Sequence, residues 1–180
     1  MGTVIRRAGA VLALALLVVA SPLDARAAET SYDASAFTEG PMGGDRYNHV
    51  ERGEDGRITV ARLYPVPGPI GCSAAAGYAK YLVAHTADAP VSAVSVAFTE
   101  AAVDPYVILS AVVRDQAGRA IGYTSTRGAV GDGTLEVDVT PVADEVLSAI
   151  TVEFGVEVSS ACPSVDAGTL RFTSVTVEEA

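Results

Sequence analysis

Apolar and polar residues alternate along several short segments in the second half of the chain. The clearest is segment 149–158, where one parity is polar or glycine and the other is apolar, namely Ile150, Val152, Phe154, Val156 and Val158. Segments 135–140 and 94–99 repeat the pattern. A period of two residues places one face of a strand in a core and the other in water. These segments are therefore predicted to be half-buried antiparallel strands.

Other segments add strands and the connections between them. Segment 106–113 is apolar on both parities, which predicts a central strand covered on both sides, or one whose outer face meets the N-terminal arm or another chain. Segment 115–118, ending in Gly118, is predicted to be a tight hairpin turn. Segment 131–133 (Gly-Asp-Gly) is predicted to separate two strands. The apolar parity slips at Thr173 and Ser174, which predicts a β-bulge there.

With segments 58–64 and 78–84, the pattern gives about eight strands. The one helical candidate is a turn or two at 141–146. The predicted fold class is therefore all-β, an antiparallel β-sandwich. A jelly roll is favoured over an immunoglobulin-like arrangement, because the chain has no Trp and its two cysteines are too far apart for the usual inter-sheet pair.

The first residues are typical of an export signal. Arg6 and Arg7 precede an uncharged apolar run from 8 to 20, Pro22 ends that run, and Ala25 and Ala27 fit a signal-peptidase site. The run is shorter than the ~20 residues that a membrane span needs. The predicted organisation is a signal peptide (1–27), a polar N-terminal arm (28–56) and a β-sandwich domain (57–180). Within the arm, segment 31–37 is a candidate edge strand, ended by the glycine-rich segment 40–44.

The net charge and the lengths of the apolar runs limit the classes of partner that this chain can have. Cleavage after residue 27 leaves nine basic and twenty-one acidic side chains, a net charge of −12, which disfavours nucleic acid as a partner. After signal cleavage no apolar run of membrane length remains, so we expect a soluble, secreted, extracellular domain. Cys72 and Cys162 are bound for an oxidising compartment and are predicted to form a structural disulfide.

Catalytic and metal-binding patterns are weak. The two histidines, His49 and His85, are expected to be a solvated loop residue and a cap on the exposed end of the 78–84 strand. No nucleophile, phosphate-loop or paired-histidine motif is present, and we expect no enzyme activity and no cofactor. A structural calcium ion is compatible with the turn acids, although we expect these acids to be solvated; they are Asp132, Asp138, Asp144 and Glu145.

Tyrosine is the only candidate platform for a sugar ring, because Trp is absent. The candidates are Tyr64, Tyr78, Tyr81, Tyr106 and Tyr123. Tyr78 and Tyr81 lie on opposite parities of one strand, so one of the two is expected to be exposed. Most of the others are expected to bury the ring and leave the hydroxyl wet, and no ligand-binding residue is assigned.

The closing segments carry a resemblance to a known family. Asp138-Val139-Thr140-Pro141 before the 150–158 strand, together with segment 168–177 (GTLRFTSVTV), resembles the end of galactose-binding-like jelly-roll modules. Such modules are secreted, usually bind carbohydrate and often hold a structural calcium ion. The resemblance implies a non-catalytic domain that binds a polysaccharide or envelope glycan. The alternatives are a structural or protein-interaction module of the envelope and, less favoured, a hydrolase built from scattered carboxylates.

Overall fold

The computed structural model describes residues 28–44, 48–62, 77–140, 149–158 and 168–180. Strands make up most of this part, and a 3-10 turn, Ala34–Ala36, connects the first two. The strands are β1 (Ala28–Asp33), β2 (Thr38–Gly43), β3 (Asn48–Arg52), β4 (Arg57–Arg62), β5 (Gly77–Thr86), β6 (Val91–Asp115), β7 (Ala120–Asp138), β8 (Ala149–Val158) and β9 (Gly168–Glu179). The predicted signal peptide (1–27) and the helical turn at 141–146 lie outside the described residues. Within the described ranges, no helix is long and apolar enough to cross a membrane.

Two layers arise because β6 is long enough to belong to both. Its first half pairs with β9 and its second half pairs with β8, while β7 follows β6 along its whole length. The first sheet contains β3, β4, β9, the start of β6 and the end of β7, with β1 sharing the β9 edge with β4. The second sheet contains β2, β5, β8, the end of β6 and the start of β7. Among the described residues all pairings are antiparallel and nine strands occur, where about eight were predicted. The predicted jelly-roll sandwich is confirmed.

Aromatic rings from both sheets fill the space between the layers. Phe154 of β8 meets Phe172 of β9 edge to face, with ring centroids 5.1 Å apart. The ring centroid of Phe154 lies 4.9 Å from that of Phe37 and 5.8 Å from that of Tyr81, which stacks on it. Such ring pairs add to the free energy gained by burying apolar surface. The core therefore joins the two sheets directly.

The hairpin of β6 and β7 bends where it passes from one sheet to the other. Its register shifts between Phe98 and Ala101 and again between Val103 and Ile108. Gly128 has a φ of +63° on the facing strand, where a Cβ would lie 3.0 Å from the Pro105 Cα. The predicted strand boundary at 131–133 is therefore wrong, because glycine and register shifts absorb the bend while the pairing continues.

Two local predictions are confirmed. Gly118, with a φ of +79°, donates its amide to the Asp115 carbonyl at 2.9 Å and closes the hairpin turn. The bulge is at Thr173, because Ala97 pairs with Ser174 while Phe98 pairs with Phe172.

The segment predicted as an arm is built into the sandwich. The edge strand predicted at 31–37 is only partly right, because β1 ends at Asp33 and residues 34–36 form the 3-10 turn. β1 adds to the β9 edge and β2 adds to β5. The glycine-rich segment 40–44 was expected to end a strand, but most of it belongs to β2, with a register shift between Glu39 and Met42. Glycine is needed at 40 because a Cβ there would lie 2.9 Å from the Lys80 carbonyl oxygen.

Candidate functional site

The outer face of the second sheet carries unusually large side chains. In β5, Ala79, Tyr81 and Val83 are buried in the core, which places Tyr78 and Leu82 on the opposite, outward face. Tyr78 is 39% exposed. Across the sheet, Tyr123 of β7 is 63% exposed. The strands of this face follow the order β5, β8, β6 and β7, so an exposed tyrosine lies on each outer strand of the four.

A recessed row runs between the two tyrosines. Lys80, Gly155 and Ser110 are adjacent in register on β5, β8 and β6, and all three are buried although they lie on the outward parity. Tyr78 and Tyr123 lie on either side of this row. Their Cα atoms are separated by three strand spacings across the sheet and by four residues along the strands, which together give roughly 20 Å. We call Lys80, Gly155 and Ser110 the recessed row, and the surface that surrounds it the ligand face.

Charged side chains surround the recessed row. Glu153 and Glu157 of β8 point outward on either side of Gly155. Arg114 of β6 lies 3.7 Å from Glu153, and Arg127 of β7 is exposed. The ligand face thus offers both hydrogen-bond donors and acceptors between its two tyrosines.

Lys80 is the central group of the face. Its Nζ donates to the Ser110 Oγ at 2.6 Å. Burial lowers the pKa of Lys80, and the charges of Glu153 and Glu157 offset part of that effect. This pair was not predicted from the sequence, where its signal is a lysine on the outward parity between Tyr78 and Leu82.

Among the described residues, the two other candidate tyrosines are less exposed than Tyr78 and Tyr123. Tyr81 is buried, and its hydroxyl donates to the carbonyl oxygens of Gly53 and Arg57 at 2.6 and 2.8 Å. Burial raises the pKa of Tyr81 to about 12. Tyr106 is half-buried against the core, and Tyr64 lies outside the described residues.

The expected roles of the histidines are tested only for His85. His85 does not cap an exposed strand end. β5 continues to residue 86, and His85 lies on the inward parity of this strand with its side chain 4% exposed. The Tyr32 hydroxyl lies 2.8 Å from its Nδ1, and the Glu179 Oε1 lies 2.7 Å from its Nε2. The hydrogen bond from His85 lowers the pKa of Glu179, which burial opposes and two backbone amides reinforce. For His49 only the backbone pairing in β3 is described.

The calcium candidates are not brought together in the described part of the chain. Asp132 accepts the Glu100 amide at 3.2 Å, and Asp138 lies six residues further along β7, or about 20 Å away. Asp144 and Glu145 lie outside the described residues. No group of three or more possible metal ligands occurs among the residues that are described. The cysteines Cys72 and Cys162 also lie outside them.

Two small cavities flank the 3-10 turn. One of about 340 Å³ lies beside Arg52, whose guanidinium already binds Glu39 and the carbonyl oxygens of Gly40 and Lys80. The other, of about 470 Å³, lies beside Arg171, which pairs with Asp55 at 3.0 Å. The Arg171 Nε is buried and has no hydrogen-bond partner among the described residues. The aromatic rings that line the two cavities, Phe37, Tyr81 and Phe172, are buried or half-buried, so we place the candidate site on the ligand face, where tyrosine rings are exposed.

Comparisons with known proteins give matches of structure only. No protein-family model and no curated protein matches the chain. Among solved structures, it is similar to the enzymatically active domain of bacteriophage CBA120 tailspike protein 4, with 19% identity, a TM-score of 0.45 and 78% of this chain aligned to 19% of that one. It is also similar to the module TmCBM61 solved in complex with β-1,4-galactotriose, with 14% identity, a TM-score of 0.43 and coverage of 82% and 91%.

A third similar structure is the carbohydrate-binding module CBM36 in complex with calcium and xylotriose, with 10% identity, a TM-score of 0.41 and coverage of 82% and 98%. Carbohydrate-binding modules are thus among the structures that this chain is similar to, as the resemblance in its closing segments implied. At these identities the likeness concerns the fold, and no ligand is carried over to this chain.

Proposed function

We propose that the protein is a secreted, non-catalytic β-sandwich that binds a glycan on the ligand face. The observation that carries the proposal is the pair of exposed tyrosines, Tyr78 and Tyr123, on either side of a polar recessed row. A tyrosine ring offers an apolar face to the C–H surface of a sugar, and charged side chains between the rings bind its hydroxyls. The roughly 20 Å between the two tyrosines suits an oligosaccharide segment of a longer chain.

The carboxylates of this face support binding in preference to hydrolysis. Glu153 and Glu157 are four residues apart on β8, which separates their Cα atoms by roughly 13 Å. Glycosidases hold their two carboxyl groups about 5–9.5 Å apart on either side of the scissile bond. Arg114 also lies 3.7 Å from Glu153, so an ion pair already engages this carboxylate.

Export supports an extracellular ligand. The proposed signal peptide (1–27) would release a chain that starts at Ala28, the first residue of β1. N-terminal sequencing of the protein recovered from the medium tests this step, and Ala28 is the expected first residue. Retention of the apolar segment in the recovered protein would contradict it.

Binding is tested with the mature chain, residues 28–180, against soluble and insoluble polysaccharides by affinity electrophoresis and pull-down. We expect one glycan class to retard the protein, and we expect Tyr123→Ala and Tyr78→Ala to reduce the retardation. Glu136→Gln, on the outer face of the first sheet, is the matched control and should bind as the unmodified chain does. Equal binding by all of these variants and the unmodified chain would contradict the proposal that the glycan binds on this face.

A protein partner is the second candidate, because apolar side chains also reach the ligand face. Leu82, Ile108 and Val112 are half-buried on the outward parity, where most strands carry polar residues. If no polysaccharide binds, we expect this face to contact an envelope protein, and cross-linking at the cell surface is the measurement that tests it.

A further inference from the structure

The recessed row contains the only lysine of the chain, Lys80. The residue is 9% exposed although it lies on the outward parity of β5, and its partner Ser110 is 5% exposed. Because β8 lies between β5 and β6, the Lys80 side chain must cross a whole strand to place its Nζ 2.6 Å from the Ser110 Oγ. The ammonium is therefore held at the centre of the ligand face.

Gly155 makes this crossing possible. It is the residue of β8 that pairs with both Lys80 and Ser110. A Cβ at this position would lie 2.1 Å from the Ala79 carbonyl oxygen and 2.8 Å from the Lys80 Cα. With no side chain at 155, the lysine chain lies flat across β8. The position of the ammonium therefore depends on glycine at 155 and on the hydrogen bond to Ser110.

The ammonium has hydrogen-bonding capacity that the protein does not use. It carries three N–H donors, and Ser110 is its one hydrogen-bond partner within the described residues. In the same part of the chain no carboxylate forms an ion pair with it; Glu153 and Glu157 act only at longer range. A largely buried donor that lacks an acceptor costs free energy. A bound molecule that brings oxygen acceptors to the recessed row would remove that cost.

We propose that Lys80 determines the specificity of the glycan site by donating to a hydroxyl or ring oxygen of a neutral sugar, and that glycans carrying carboxylate or sulfate groups are excluded. This inference rests on the proposed function. Glu153 and Glu157 accept hydrogen bonds from hydroxyls but repel an anionic group at the same position. The net charge of −12 on the mature chain repels a polyanion at longer range.

The test compares binding of neutral and anionic polysaccharides by the mature chain. The neutral probes are xylan, β-1,4-galactan and mixed-linkage β-glucan, and the anionic probes are polygalacturonate and alginate. We expect Lys80→Met, which keeps the length of the side chain and removes its donors, to weaken binding of the retained neutral glycan by about 10- to 100-fold. Glu136→Gln, on the outer face of the first sheet, is the control and should retain binding. Circular dichroism of each variant confirms that it folds.

A second readout follows the ammonium itself. Because the chain has one lysine, the 15N-labelled protein gives one lysine ammonium signal in a nuclear magnetic resonance spectrum. We expect that signal to shift when an oligosaccharide of the bound neutral glycan is added. We also expect affinity to change little between about 0.05 and about 0.5 M salt, because no charge is neutralised on binding.

The outcomes separate this inference from the proposed function. If the unmodified chain binds no polysaccharide, both fail. If Tyr123→Ala abolishes binding while Lys80→Met leaves it unchanged and the ammonium signal does not move, the function stands and the role of Lys80 is overturned. Tighter binding of an anionic polysaccharide than of any neutral one overturns the proposed exclusion.

Discussion

The hydroxyl of Tyr32 ties the first strand to the buried His85 of the opposite sheet. The hydroxyl lies 2.8 Å from the imidazole Nδ1, and His85 is 4% exposed. With its proton on Nε2, the imidazole donates to Glu179 and accepts from Tyr32, so both ring nitrogens are satisfied. The substitution Tyr32→Phe removes that hydroxyl and keeps the ring, whose centroid lies 6.0 Å from that of the imidazole.

The expected loss follows from leaving a buried acceptor without a donor. Such an unpaired group costs about 1–3 kcal/mol. We therefore expect Tyr32→Phe to lower the free energy of unfolding by about 1–3 kcal/mol. For a domain of this size each kcal/mol lowers the Tm by about 2–4 °C.

Urea denaturation followed by circular dichroism at neutral pH measures this loss. The matched control is Tyr123→Phe, which removes a hydroxyl from a ring that is 63% exposed and should change stability by less than about 0.5 kcal/mol. Equal stability of Tyr32→Phe and the unmodified chain would refute the argument, because the hydroxyl would then contribute nothing to holding β1.

Four further predictions concern pH, packing, the disulfide and calcium. The folded state lowers the pKa of Glu179, so its carboxylate stabilises the fold at a pH above the usual pKa of 4.5. This stability is lost as the pH falls through the lower pKa of the folded state. Glu179→Gln should therefore reduce the pH dependence of the free energy of unfolding in acid titrations. Gly155→Ala places a Cβ 2.1 Å from the Ala79 carbonyl oxygen and should lower the free energy of unfolding by about 2–4 kcal/mol in urea titrations, whereas an unchanged midpoint would contradict that clash. Non-reducing peptide mapping should recover Cys72 joined to Cys162, and reduction should destabilise the chain by up to about 4–5 kcal/mol in the entropy model. Thermal scans with calcium and with a chelator should superimpose, and a higher Tm in calcium would instead indicate a bound ion.

Local features of this fold could be predicted from the sequence because local chemistry determines them. The turn closed by Gly118 needs a positive φ, and the bulge at Thr173 restores a parity that is visible in the sequence. Long-range pairing is different. Ser31 pairs with Thr176 across almost the whole chain, and nothing in either segment identifies the other as its partner. An edge strand in this region was therefore predictable, whereas its bounds and the strand that it joins were not.

The role of His85 was predicted wrongly for a reason that the strand pattern itself explains. The predicted strand ended at residue 84, so the histidine was expected to be at an exposed end. In the structure β5 runs to residue 86, and His85 shares the inward parity of Tyr81 and Val83. Its partners Tyr32 and Glu179 come from β1 and β9, which only the tertiary fold brings near. The parity could have predicted burial, but not the hydrogen-bond partners.

The two outer faces of the sandwich differ in the size and charge of their side chains. This difference can be read from the sequence once the strands are known. On the first sheet, a row across β1, β9 and β6 presents small hydroxyl side chains, Ser31, Thr176 and Ser95. On the second sheet, the outward positions of β5 instead hold Tyr78 and Lys80. Small polar residues suffice to solvate this row. Arg57 and Arg171 also lie on the outward parity of the first sheet, but carboxylates pair with both of them. Tyr78 is exposed, and no carboxylate of the described residues forms an ion pair with Lys80, so the proposed ligand would pack on the ring and accept hydrogen bonds from the ammonium. This contrast between the chain's own residues supports the proposed ligand face.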